Sequence, residues 1–272
     1  MVGAHIPAPS AATGDRASHT THQTRLGHPA ITGAFMSTAE TRILHLHIPK
    51  TAGTAIRQAF GQINTGLKVY PHYDERMYRD ATPDDYDLFS GHYGFDTARR
   101  LGGNVISVFR NPFDRFVSVY YFWRQLYQEG VERTRKTELA MKFPLDEFVL
   151  ITDDLILVEE FYNRMTWQVA CGSSIAQRHE QRAAGKSEED IFALANKNLQ
   201  SFALIGLQDR MEDFGAGLKD RFGVSLKIKP INVTEKRAPL ADIKMTTRRR
   251  IYDWIYMDVA LYERAEALSF RP

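Results

Sequence analysis

Three observations predict an α/β protein organised around a central, mainly parallel sheet. β-rich runs at residues 42–48 and 104–109 each lead into a phosphate-sized turn. A helical pattern follows each turn. Strand and helix patterns then recur towards the C-terminus, which favours a parallel sheet covered by helices over a helical bundle.

Taken in order, the first element is RILHLHI, residues 42–48, suited to a central strand. Residues 49–53 interrupt it, and 54–60 read as a helix. Further strands are expected at 67–70, at 88–93 and at NVISVF, 104–109. Asn111 and Pro112 suit the N-cap and first helical position, and Asp114 suits the first turn, so a helix follows. Residues 131–143 are charged, and helices are expected over 144–151, 153–170 and 187–199, with Asp153 and Asp154 placed to start the second. Phe161, Tyr162 and Trp167 read as helix packing rather than a sugar platform. A strand at 202–207 returns to the sheet, and DRMEDFGAGLKDRFG suggests another helix. The last helix, roughly 246–268, carries Ile251, Trp254, Ile255, Val259 and Tyr262 at helical spacing. Residues 1–40 read as a mobile leader, and 41–272 as one domain with a mainly helical region around 130–199.

Bulk properties narrow the function. A chain of 272 residues with 43% hydrophobic and 25% charged residues is an ordinary soluble globular protein, large enough for one substantial core. A formal charge of +2 does not point to a specific nucleic-acid binder. Basic residues do gather late: eight Lys or Arg between 227 and 250 face only Glu235 and Asp242. The single cysteine, Cys171, excludes an intrachain disulfide and a cysteine-rich metal site, and reads as inert. His5, His19, His22 and His28 are too irregularly spaced for a preorganised metal site. With no apolar run of membrane-spanning length and no compact signal pattern, neither integral membrane association nor secretion is expected, and a cytoplasmic location is.

Three segments carry chemistry. In HIPKTAGT, residues 47–54, exposed N–H groups between a strand and a helix can cradle an anion. Gly53 permits close approach, Thr51 and Thr54 offer hydroxyls, and Lys50 offers positive charge. This is neither GxxxxGK[ST] nor GxGxxG, because the lysine precedes a single glycine. In VFRNPFDRFVSVYYF, residues 108–122, Arg110 ends a strand and Ser118 lies two turns into the helix, so both can reach one terminal phosphate. Arg115 is left to the helix surface or to substrate, and Tyr120, Tyr121 and Phe122 offer no strong catalytic candidate. In FSGHYGF, residues 89–95, His92 sits among glycines after a strand, exposed and able to titrate near neutral pH. His45 and His47 are weaker base candidates, better suited to packing or to supporting the phosphate loop.

HIPKTAGT and RNPFDRFVSVY together resemble the cytosolic and carbohydrate sulfotransferase superfamily. The likeness is greatest to the family that includes heparan sulfate 2-O-sulfotransferase and its bacterial relatives. The family pattern is an HxPKTxGT-like loop, then RDPxxRxxSxY; here Asn111 replaces Asp, compatible with capping. The resemblance covers about 42–268 and is diffuse between 130 and 198. It implies a three-layer, P-loop NTPase-like sulfotransferase fold with 3′-phosphoadenylyl sulfate as the sulfate donor and no metal. Lys50, Thr51, Ala52, Gly53 and Thr54 would surround the donor's 5′-phosphosulfate, and Arg110 and Ser118 its 3′-phosphate. INVTEKR, 231–237, resembles a late donor-binding loop, which implies that Asn232, Thr234 and Lys236 approach the nucleotide. IGLQDRMEDF, 205–214, resembles GLxERFxxx but departs from it at Gln208 and Asp209. GHYGF matches the segment that carries the family's catalytic histidine at His92, and the partner implied is a carbohydrate or another hydroxyl-bearing acceptor.

The reaction expected is direct transfer, with His92 as general base, Lys50 and the loop stabilising charge, and Arg110 and Ser118 positioning the donor. Arg124, Arg133, Arg135, Lys136 and the loop 171–187 are candidate acceptor contacts. Two alternatives remain: a non-catalytic nucleotide-binding or scaffold protein, and a P-loop kinase, which would need a triphosphate loop and a magnesium carboxylate.

Overall fold

A computed structural model describes residues 40–62, 66–172, 174–228 and 237–272. All of them belong to one compact unit, Met36–Pro272. Four parallel strands, β1 (Ile43–Leu46), β2 (Leu88–Gly91), β3 (Asn104–Phe109) and β4 (Leu204–Leu207), form a sheet in the order β2-β1-β3-β4. Ile43 pairs with Leu88 on one side and Asn104 on the other, and Ile106 pairs with Leu204. A parallel sheet needs a crossover between strands and is covered on both faces, so its strands are fully apolar or buried. Every residue of β1, β2 and β4 is buried.

Alternation along the strands sorts the core. Ile43, Leu88, Ile106 and Leu204 pack with Ile56 and Phe60 of α1 (Gly53–Gln62) and with Phe214 and Leu218 of α10, the helix Met211–Phe222. Leu44, Phe89, Val105 and Ile205 face the other way. There they meet α2 (Phe95–Leu101), α7 (Arg164–Ala170), α9 (Glu188–Leu199) and the far end of α11 (Met245–Leu268). The first half of α11 packs instead with α3 (Pro112–Gln128), α4 (Arg135–Lys142), α5 (Leu145–Phe148) and α6 (Leu155–Phe161) in a third apolar cluster. A further α-helix among the described residues is α8, Ile175–Ala183. Among the described residues no helix is long and apolar enough to cross a membrane.

The strand at 104–109 and the helices after Pro112 and Ser187 form as the sequence predicts. Asn111 caps α3, its side chain accepting from the Asp114 N–H at 3.1 Å, and Asp154 caps α6 by accepting from Ile156 and Leu157. Three expectations are corrected. Residues 67–70 make only a single bridge, Val69 to Leu88, because Arg57 takes the next carbonyls, those of Tyr70 and Pro71. The helix expected over 153–170 is broken at Asn163, whose φ of 46° is left-handed and ends one helix before the next begins. The stretch 171–187, read as a loop, holds α8, started by a reciprocal cap between Ser174 and Gln177.

Candidate active site

Because β1 and β3 are parallel neighbours, their C-terminal loops emerge side by side, where open α/β sheets bind ligands. A cleft of about 670 Å³ opens there. It is lined by the loop after β1, Arg110 with Ser118 and Phe122 of α3, the turn after β2, and residues 237–239.

The loop after β1 is held in an unusual conformation. Lys50 and Ala52 have φ of 65° and 70°, two of three non-glycine residues with positive φ among those described. Such strain costs on the order of 1–3 kcal/mol per residue and persists where the surroundings impose it. Gly53 begins α1 directly beneath the His47 ring, and a Cβ there would lie 1.8 Å from His47 Cδ2. No acidic side chain occupies the first turn of α1, so its positive end stays open to an anion.

Lys50, Ala52, Gly53 and Thr54 all line the cleft. Thr51 does not: its side chain is buried and donates to the Ile48 carbonyl at 2.8 Å, so its hydroxyl closes the loop instead. Lys50 Nζ lies 3.9 Å above the Phe122 ring. Burial, reinforced by Arg110, pulls the Lys50 ammonium down to about 8.

Arg110 and Ser118 meet beside that loop. Arg110 Nη1 donates to Ser118 Oγ at 3.1 Å and to the Lys50 carbonyl at 3.0 Å, while its Nε donates to Asp114 at 2.6 Å. Arg237 pairs with the other oxygen of Asp114 at 2.6 Å. Among the described lining residues three are cationic, Lys50, Arg110 and Arg237, and none is a carboxylate. Asn232, Thr234 and Lys236 lie outside the described residues.

His92 also lines the cleft. Its Nδ1 must donate to the His47 carbonyl, 3.0 Å away, because a carbonyl only accepts; the neutral ring then carries its lone pair on Nε2. The histidine expected to titrate near neutrality does not: burial, then Arg164, lower it to about 4. His92 stacks on His47 with ring centroids 4.3 Å apart, and His47 stacks on His45 at 5.6 Å. Burial and the His92 charge hold His47 well below the usual histidine range and His45 at about 3. His45 bonds Ser90 at 2.8 Å and leaves Nε2 buried without a partner, so it packs. His47 itself lines the cleft. Gly94 follows because a Cβ there would stand 2.2 Å from the Cys171 carbonyl.

Several lining residues were not legible beforehand. Tyr73 bonds His47 Nδ1 through its hydroxyl and meets the His92 ring edge-on at 4.4 Å. It arrives from a distant loop, bridged to β2 through Asp74 and His92 and clamped by Arg57. Phe122 and Gln208 lie in segments that resemble the family's pattern, though nothing in that pattern marks them as contacts, and Arg237 is the residue after Lys236. Other candidates are placed elsewhere. Arg115 is buried and paired with Glu160 at 3.0 Å, neither surface nor substrate contact. Arg124 donates to the Ala140 carbonyl at 2.6 Å, Arg135 pairs with Asp154, Lys136 pairs with Glu132, and Arg133 covers Tyr127, all away from the cleft. Cys171 is buried and its thiol is pushed up to about 11. Among the described residues no group of three or more His, Cys, Asp or Glu side chains is arranged to hold a metal.

No curated protein matches the sequence. Among solved structures, mouse sulfotransferase SULT7A1 in complex with PAP is similar at 14% identity and a TM-score of 0.36, over 80% of this chain. The chain spans 63% of that protein's length. A family model described as the sulfotransferase family matches residues 33–263, which is most of the chain. The chain belongs to the sulfotransferase family.

Proposed function

We propose that this protein transfers a sulfuryl group from 3′-phosphoadenylyl sulfate to an acceptor hydroxyl. The observation that carries the reading is one cleft that gathers three cations, no carboxylate among its described lining, and a neutral imidazole. Its volume of about 670 Å³ is that of a nucleotide-sized site. A magnesium triphosphate needs a carboxylate beside it, so this lining favours sulfuryl over phosphoryl transfer.

When bound, the donor supplies a sulfuryl group already attached to a phosphate leaving group. Lys50, Thr54 and the amides of Ala52 and Gly53 hold negative charge at one pole. Arg110, with Ser118 and Arg237, holds the second phosphate and fixes the nucleotide's register. By the likeness of INVTEKR to a late donor-binding loop, Asn232, Thr234 and Lys236 would approach the nucleotide as well. Thr51 contributes through its main chain, its hydroxyl being committed to Ile48. His92 Nε2 removes the acceptor proton, and its depressed basicity keeps it unprotonated at neutral pH. The acceptor is a carbohydrate by the likeness of GHYGF to the carbohydrate enzymes, and a cytoplasmic setting, where the donor is made, suits the reaction.

The test is sulfate transfer from labelled donor to a panel of hydroxyl acceptors, with wild type and His92→Ala compared. Wild type forms product, and the variant loses about 10²–10⁴-fold in turnover while still binding adenosine 3′,5′-bisphosphate. Nucleotide binding without product on any acceptor would instead identify a binding protein.

A further inference from the structure

We infer that Gln168 is a positioning residue for His92, tying the end of the donor-loop strand to the turn that carries the base. The inference rests on the proposed reaction. Gln168 is fully buried on α7, and its Nε2 donates to two main-chain oxygens, His47 at 3.0 Å and Tyr93 at 2.9 Å. Its Oε1 accepts from Arg164 Nε at 3.3 Å. That arrangement fixes which way the amide points. An arginine only donates and both carbonyls only accept, so a flipped amide would lose all three contacts.

The two carbonyls are the ones that matter for the base. His47 leads into the loop that holds Lys50, and its oxygen is also the acceptor for His92 Nδ1. Tyr93 is the residue after His92. One side-chain amide therefore spans segments far apart in sequence and sets the distance between the donor loop and the imidazole. His92 makes one of the contacts to the His47 oxygen, and Gln168 makes another.

The helix carrying Gln168 is itself anchored at its start. Asp258 of α11 accepts from the N–H groups of Met165 at 3.2 Å and Thr166 at 2.7 Å, and from the Thr166 hydroxyl at 2.8 Å. These are donors that the first turn of a helix cannot satisfy internally. Asn163, in its left-handed conformation, accepts from Met257 and Asp258 while its own N–H donates to the Trp254 carbonyl. Positional accuracy passes from α11 to α7, then through Gln168 to the His47–His92 contact. A buried glutamine that only satisfied core carbonyls would need no such link to the base, and the two roles separate by experiment.

Gln168→Met keeps the length of the side chain and removes both donors. Gln168→Leu removes them in a smaller apolar side chain, and serves if the first variant does not fold. We expect either variant to bind adenosine 3′,5′-bisphosphate at full stoichiometry, with affinity and donor KM within about threefold of wild type. We expect kcat to fall about 10²-fold, the scale of a misplacement near 1 Å. In a His92→Ala background the same substitution should cost no more than about twofold, because residues acting as one unit are not additive. An equal loss in both backgrounds, an unchanged kcat, or lost nucleotide binding would overturn the positioning role. If wild type transfers no sulfate, the proposed reaction fails. The imidazole ¹⁵N signals of His92 then decide this inference separately: a changed titration in Gln168→Met supports it, and an identical one overturns it.

Discussion

Arg110 Nη1 donates to the main-chain oxygen of Lys50 at 3.0 Å. The loop after β1 and the loop after β3 are thus one hydrogen-bonded unit, and Arg110 is part of the frame as well as a cation in the cleft. Ser118 and Asp114 fix the rest of its guanidinium, which limits how it can be replaced. Lysine at 110 cannot reproduce a planar fork, so Arg110→Lys should behave much more like Arg110→Ala than like wild type in nucleotide titrations. Wild-type affinity in the lysine variant would contradict this.

Gly53 should tolerate no side chain. The alanine methyl would enter the His47 ring, which is confined between His45, His92 and Tyr73. Gly53→Ala is expected to lose about 1–3 kcal/mol of stability by overpacking, read as a lower urea midpoint. It should also impair nucleotide binding, because the displaced ring borders the cleft. An unchanged midpoint would show that the ring moves freely.

The pH dependence of kcat/KM separates this site from an ordinary histidine base. His92 is lowered to about 4, so activity should stay level between pH 7 and pH 5, where an unperturbed histidine would already be protonated. Lys50 must be charged and is lowered to about 8, so activity should fall as pH rises through 8. Lys50→Arg should abolish that alkaline fall, whatever its absolute rate. A decline centred near 6.5 on the acid side would show a base that titrates as an ordinary histidine and would contradict the buried, depressed imidazole.

Stability should carry the opposite signature at low pH. His45 and His92 are unprotonated in the native state down to about 3 and about 4, whereas the unfolded chain takes up those protons near 6.5. Below 6.5 the unfolded state binds more protons, so stability falls by about 1.4 kcal/mol per pH unit for each histidine, down to about 4 for His92 and about 3 for His45. Urea midpoints measured at pH 7, 5.5 and 4.5 test this. His45→Asn should flatten the slope, and an unaltered slope would assign the loss to other groups.

That the loops after β1 and β3 share one cleft could be read from the sequence because each is local: a strand, a turn and a helix start within a dozen residues. β3 was legible for the same reason, its apolar run ending at the Asn111 cap and Pro112. Thr51 misled because the choice between facing a ligand and closing a loop depends on a single dihedral, and Ile48 offers an acceptor three residues away. Tyr73 could not be placed. Its position depends on Arg57 donating to the carbonyls around it and on a bridge between Asp74 and His92, contacts that leave no periodic signature. The break at Asn163 is imposed from α11, so the helix pattern across 153–170 looked continuous. The Ser174–Gln177 cap, by contrast, was a written signal that the polar surroundings obscured.

The central claim is that one cleft grips a nucleotide phosphorylated at both ends, and a calorimetric titration tests it most directly. Adenosine 3′,5′-bisphosphate should bind about 10–100-fold more tightly than adenosine 5′-phosphate, the difference made by charge-assisted bonds from Arg110 to the second phosphate. Arg110→Ala should erase most of that ratio. Equal affinities for the two nucleotides in wild type would contradict the account.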